Sequence, residues 1–285
     1  MGYLTLIYTT VFHSSKGGVG KSLLSLNYAA YKASQGWESW LIELDFSMGS
    51  IINSFPSFKP PRSISEWLIN GNKSIEDCLI DISENYPLIK APLKLGLIAD
   101  ESQKLPEIRK RTFSMDFVKK ALGRLVALQE RVYELSQQSG KDIAITFDTT
   151  PGMDPLALQA SLISDRVVLM ARPTNAHYKK TGDLVQNFHK EKLEENKAIG
   201  LVINQISGSL VGIEEDVEKT KEAGEKISGI PVIYVMKCLC ALQDEVYTLS
   251  SSPADGSENP HFQLIRDEFT RACQHINDFQ TLERS

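Results

Sequence analysis

Lys16-Gly17-Gly18-Val19-Gly20-Lys21-Ser22 lies between an apolar run at 4–12 and a stretch at 22–35 of helix-forming composition that Gly36 closes. The reading of this heptapeptide decides the fold. The run before it is rich in Leu, Ile, Val, Thr and aromatics, which suits a buried strand. A glycine just past a helical stretch is the expected C-terminal stop. A second apolar run, 40–44, ends in carboxylates. Strand, glycine loop, helix and strand in succession make a βαβ unit, and such units build parallel sheets.

The residue types of the loop point to phosphate. Glycines let the backbone turn tightly enough for several N–H groups to face phosphate oxygens. The helix that follows brings its positive dipole end to the same place. Lys21 is expected to neutralise charge on the outer phosphates and the Ser22 hydroxyl to ligate Mg²⁺. Gly17, Gly18, Val19, Gly20 and Leu23 complete the expected nucleotide-contacting stretch.

Outward from the loop the alternation continues. The segment 55–62 holds Pro56, Pro60 and Pro61 and reads as a loop, with short helices expected at 63–68 and 75–82 and a strand at 95–98. Phe117, Ala121, Leu125, Leu128, Val132 and Leu135 recur at intervals of three and four, the stripe of a long amphipathic helix that Gly140 ends. Strands are expected at 143–147, 166–170, 199–203 and 232–235, and helices at 178–193, 213–227 and 262–279. No repeat, low-complexity segment or long linker interrupts the pattern. The expectation is an α/β fold spanning 1–285 as a single domain: a doubly wound, mostly parallel sheet with helices on both faces.

The chain has 285 residues, 42% hydrophobic and 24% charged, with a net charge of −5. That is enough to bury one sizeable core, and the charge gives no global attraction to nucleic acid. The four cysteines (Cys78, Cys238, Cys240, Cys273) show no disulfide-framework spacing, which fits reduced thiols and a cytoplasmic setting. The stretch 1–12 lacks a basic leader and a cleavage site and reads as a strand. No run approaches the ~18 apolar residues of a membrane span.

Where the ordinary motif G-x-x-x-x-G-K-[ST] has its first glycine, this chain has Ser15, followed by Lys16. With its two lysines, 16–22 resembles the deviant Walker A motif of the ParA/MinD family of ATPases. The resemblance covers nearly the whole chain, and Ser63-Ile64-Ser65-Glu66-Trp67-Leu68 with Gly71-Asn72-Lys73 looks like the helical segment of MinD-like members. It implies ATP as substrate, Mg²⁺ as cofactor and a homodimer formed with ATP. In that dimer Lys16 reaches the partner's nucleotide and Lys21 serves in cis.

The resemblance also assigns the acids. Leu41-Ile42-Glu43-Leu44-Asp45 resembles the family's second motif, normally Asp-x-Asp. It implies that Asp45 positions the attacking water, while Glu43 in place of Asp affects the hydrolysis rate. The apolar strand ending at Asp148 reads as a Walker B element, with Asp148 holding Mg²⁺ through water. Asp148-Thr149-Thr150-Pro151-Gly152 resembles Asp-Thr-Pro-Pro-Gly, with Thr150 in place of a proline. By resemblance Asn204 hydrogen-bonds adenine, for which a two-sided amide is suited, and Pro231 borders the base.

MinD-like relatives bind membranes through a basic C-terminal helix. The segment 261–285 here is slightly acidic, so its apolar face is expected in the core and membrane binding is not expected. ParA-like relatives bind DNA non-specifically, and the basic-rich stretch 104–124 is the candidate surface for DNA contact; a protein activator is the other partner class. Two alternatives remain open. Mrp-type relatives carry an iron–sulfur cluster on C-x-x-C, which Cys238-Leu239-Cys240 matches poorly. An ATP-dependent small-molecule enzyme would use the same fold.

Overall fold

The strand Ile7–Ser14, β1, is buried along its last six residues, and Val11 and Phe12 are fully shielded on opposite faces. Such two-sided burial is the environment of a central strand in a parallel sheet. The computed structural model describes residues 5–46, 51, 62–70, 74–83, 89–98, 114–189, 198–206, 213–237 and 260–279. Among them the strands form one sheet, with β2 at Glu38–Leu44, β3 at Leu79–Asp81, β4 at Leu93–Gly96, β5 at Ile143–Thr149, β6 at Arg166–Ala171, β7 at Ala198–Ile206 and β8 at Val232–Lys237. Their order is β3-β4-β2-β5-β1-β6-β7-β8. Every pairing is parallel except that of β3 with β4 at one edge.

Alternation along the strands divides the apolar residues between two helical layers. On one face Val11, Ile42, Phe147 and Leu169 pack against α2 (Ile64–Asn70), α3 (Met115–Ser139), α4 (Pro155–Ile163), α5 (Asn175–Leu184) and α6 (Ile213–Ser228), through residues such as Trp67, Leu125, Leu156, Tyr178 and Val217. On the other, Phe12, Leu41, Val168 and Met170 meet α1 (Lys21–Ser34) and α7 (Pro260–Asp278). The fold class is the expected α/β one, and Ile265, Phe269, Ala272 and Ile276 of α7 face the core as their stripe requires. Among the described residues no helix is long and apolar enough to cross a membrane.

Several elements depart from expectation. The segment 75–82 is no helix but a 3₁₀ turn, Ile75–Cys78, running into the edge strand β3. Three residues that pair with Lys94, Leu95 and Gly96 gain more from the ladder than from a short helix that cannot nucleate alone. β4 begins at Leu93, two residues earlier than its apolar core suggests. Helix α4 was not anticipated, although Asp154 accepts the Leu156 and Ala157 N–H groups (2.9 and 3.3 Å) and Pro155 opens the first turn, an ordinary start signal. Helix α5 ends in a π turn, Val185–His189, and the rest of the helix expected to 193 lies outside the described residues, as do Cys238, Cys240, Gly71-Asn72-Lys73 and 104–113.

Candidate phosphate-binding site

In a parallel sheet the carboxyl ends of the strands open on one edge, where ligands bind at the point at which the winding reverses. β1 sits between β5 and β6, and its carboxyl end feeds the glycine loop into α1. Buried Val19 fixes the loop against Phe12 and Leu24. Gly20 has φ of 87°, and a Cβ there would meet the Asn204 amide nitrogen at 2.4 Å, so both backbone and space demand glycine. Helix α1 starts at Lys21 with no side-chain cap and no acid in its first turn, leaving its N–H groups toward the loop mouth. Ser22 and the partly exposed Leu23 continue that turn.

The three charged residues picked from separate segments converge. Lys21 Nζ donates to Asp148 Oδ1 at 2.7 Å and lies 3.8 Å from Asp45 Oδ2. All three side chains are buried. Burial raises the Asp148 pKa from its ordinary value, and Lys21, followed by the Ser22 hydroxyl, opposes the shift. Asp148 Oδ2 is buried and accepts no hydrogen bond from the described residues. An orphaned carboxylate oxygen beside a serine hydroxyl is the oxygen-donor chemistry that suits Mg²⁺, so Asp148 and Ser22 fit that ion. Among the described residues no group of three or more His, Cys, Asp or Glu side chains is arranged to hold a metal.

Glu43, paired in register with Asp148, is fully buried. Its carboxyl accepts the N–H groups of Ile51 (2.8 Å) and Ile98 (3.1 Å), tying β2 to the segments beyond it. Desolvation outweighs those two bonds and raises its pKa from 4.5 to about 8. The folded state therefore holds a proton that the unfolded chain releases at lower pH. Unfolding free energy should fall as pH rises from about 5 to about 8, and Glu43→Gln should flatten that slope in urea titrations. Asp148 and Asp154 shift in the same sense through burial, so the difference between variant and wild type isolates the Glu43 share.

The segment after β5 is sewn to its neighbours. Thr149 Oγ1 donates to Phe12 O (2.7 Å), and Thr150 Oγ1, where the family has a proline, donates to Leu44 O (3.3 Å). Gly152 N–H donates to Ser14 O (2.8 Å), and the His13 Nε2–H donates to Gly152 O (2.7 Å), which assigns the ring tautomer. The loop beside the phosphate position is thus coupled to the strand that carries the glycine loop.

Asn204 ends up at the loop, its amide donating to Val19 O at 2.9 Å. Half-buried Lys16 sits at the loop's start, its carbonyl accepting from Ser14 Oγ (2.8 Å). A residue with no counterpart in the sequence reading, Arg172 just past β6, donates to Gly18 O from Nη2 (2.6 Å) and Nε (3.2 Å). His177 nearby has a lowered pKa, from burial first and then from Lys16, Arg172 and Lys180. Pro231 requires a correction: it precedes β8, and its carbonyl accepts Leu201 N–H (2.9 Å). Strands β1, β6, β7 and β8 run parallel, so this end lies opposite the one bearing the glycine loop, and Pro231 cannot border a base held there.

A family model described as the CobQ/CobB/MinD/ParA nucleotide binding domain matches residues 10–245. Comparison with curated protein sequences gives no match. Among solved structures, the MinC:MinD cell division protein complex of Aquifex aeolicus aligns over 97% of this chain and 99% of its own, with TM-score 0.65 and 16% identity. The septum site-determining protein MinD of Pyrococcus horikoshii, complexed with Mg-ADP, aligns over 96% and 97% (TM-score 0.62, 15% identity). A plasmid partition protein of Borrelia burgdorferi bound to AMPPNP aligns over 94% and 97% (TM-score 0.63, 18% identity). At these identities the likeness is one of fold.

Proposed function

The chain belongs to the CobQ/CobB/MinD/ParA nucleotide-binding family, and from that membership we propose that it binds ATP with Mg²⁺, hydrolyses it, and uses the cycle to switch between monomer and homodimer. The observation that carries the proposal is the convergence of Lys21, Asp45 and Asp148 beside the glycine loop. A buried ammonium between two carboxylates is a charge balance that an incoming triphosphate and cation can take over: the phosphates meet Lys21, and the carboxylates are freed for metal and water. That relatives were solved with Mg-ADP and with AMPPNP supports the choice of nucleotide.

In this reading Gly17, Gly18, Val19, Gly20, Lys21, Ser22 and Leu23 surround the phosphates, and Asn204 lies on the side of the base. Asp45 holds and orients the water that attacks the γ-phosphorus, forming one P–O bond as the bond to the ADP oxygen breaks. Mg²⁺, when bound through Ser22 and Asp148, offsets the charge on the phosphate oxygens. Lys16 crosses to the partner's nucleotide, so each site is completed only in the dimer. The loop from Thr149 to Asp154, tied to Phe12, His13 and Leu44, is the segment that relaxes after phosphate leaves in this reading. Linkage then requires ATP affinity and dimerisation to strengthen one another.

The cycle is proposed to serve spatial positioning or partitioning of DNA or another cargo, with stimulation by DNA or a protein activator. Lys119 and Lys120 are exposed on α3, and Lys120 is held by Asp116 at 2.8 Å. Phosphate release measured with and without Mg²⁺ tests the enzymatic part. The expected result is slow turnover that EDTA stops and restored Mg²⁺ revives. Wild-type protein that neither retains ATP nor releases phosphate would exclude the proposal.

A further inference from the structure

Two consecutive carbonyls of the glycine loop are held from outside. Arg172, at the carboxyl end of β6, takes Gly18 O through two N–H groups, and Asn204, near the carboxyl end of β7, takes Val19 O. A trans peptide is planar, with its C=O and the next N–H pointing in opposite directions. Pulling Gly18 O toward Arg172 therefore aims the Val19 N–H the other way, and pulling Val19 O toward Asn204 does the same for the Gly20 N–H. Glycines give the loop little preference of its own, since Gly18 and Gly20 adopt φ of 71° and 87° where other peptide orientations cost little. Something outside the loop has to choose the orientation.

We propose that Arg172 is a positioning residue for phosphate binding: its guanidinium fork, aided by the Asn204 amide, fixes the Gly18 and Val19 peptides so that the Val19 and Gly20 N–H groups face the phosphate cradle. The proposal rests on the reading of this loop as a nucleotide site. The guanidinium is delivered by a braced corner. Thr174 N–H donates to Arg172 O at 2.7 Å, the Thr174 hydroxyl accepts the His177 N–H at 3.3 Å as the cap of α5, and Arg172 N–H donates to His177 Nδ1 at 3.4 Å. A fork that spends Nε and one Nη2 hydrogen on a single carbonyl is geometry a lysine cannot copy. Among the described residues, the other three N–H groups of the exposed guanidinium have no hydrogen-bond partner.

The test has two arms. In nucleotide-free, ¹⁵N-labelled protein, Arg172→Ala should shift or broaden the Val19 and Gly20 amide resonances. With Mg-ADP as probe, Arg172→Ala should raise Kd about tenfold or more, as expected for losing a charged hydrogen bond. Arg172→Lys should recover only a small part, and the loss should persist at roughly 0.5 M KCl, where distant charges are screened. Unchanged amide resonances in Arg172→Ala would overturn the proposal. So would an ADP loss that salt erases and lysine fully rescues, because Arg172 would then be only a charge near the site. A wild type that binds no ADP would count against the nucleotide reading, and the amide arm would still decide the positioning role.

Discussion

Lys21→Ala protein should bind ADP and ATP at least about a hundredfold more weakly than wild type. The ammonium is buried, 2.7 Å from one carboxylate and 3.8 Å from another, at the first residue of α1. Removing it deletes the cis cation facing the phosphates and leaves Asp45 and Asp148 to repel them. A charged hydrogen bond and a buried opposite charge are each worth a few kcal/mol, and their joint loss corresponds to that factor. The same change should lower the stability of the nucleotide-free protein by about 3 kcal/mol at neutral pH, since it strands a buried carboxylate. Asp148 softens that cost by taking up a proton, to which burial already predisposes it. Equilibrium titration with a fluorescent ADP and urea unfolding read the two effects separately. Unaltered nucleotide affinity would mean that phosphates bind elsewhere.

Asp45→Ala should act on the other side of the reaction. Hydrolysis should drop about 10²- to 10⁴-fold, the range for losing a residue that positions and activates water. ATP affinity should stay within a fewfold of wild type, because Asp45 is an anion whose removal takes no attractive contact from the phosphates. Its carboxylate is the more distant partner of Lys21, so the stronger pair with Asp148 survives. Single-turnover phosphate release combined with nucleotide titration checks the split. Loss of binding and of turnover in equal measure would make Asp45 a structural partner of Lys21.

The core of this site was legible because its signals are short and contiguous. Lys16 to Ser22 writes a loop and a helix start in seven residues. Asp45 and Asp148 each end an apolar strand, and parallel order brings such ends to one edge. Contacts between distant residues were not legible. Arg172 reads as an unremarkable charge after a strand, and its bond to Gly18 spans 154 positions. Thr150 looks like a mere departure from a proline, yet its hydroxyl reaches Leu44 O. Glu43 looks like a lengthened catalytic acid, whereas its carboxyl binds two backbone N–H groups. Pro231 was misplaced because the match to the family overrode its position just before the strand expected at 232–235. For β3, three residues are too few for a period to distinguish strand from helix.

In the proposed cycle ATP, and not ADP, joins two copies of this chain through Lys16. The decisive measurement is the mass of the protein in solution with ADP or with ATP and Mg²⁺, for wild type, Lys16→Ala and Asp45→Ala. The expected result is a monomer with ADP in every case, a dimer of Asp45→Ala that persists with ATP, a shorter-lived dimer of wild type, and no dimer of Lys16→Ala. A protein that stays monomeric with ATP when Asp45 is replaced, or that dimerises equally without nucleotide, would contradict the switch and leave only a nucleotide pocket.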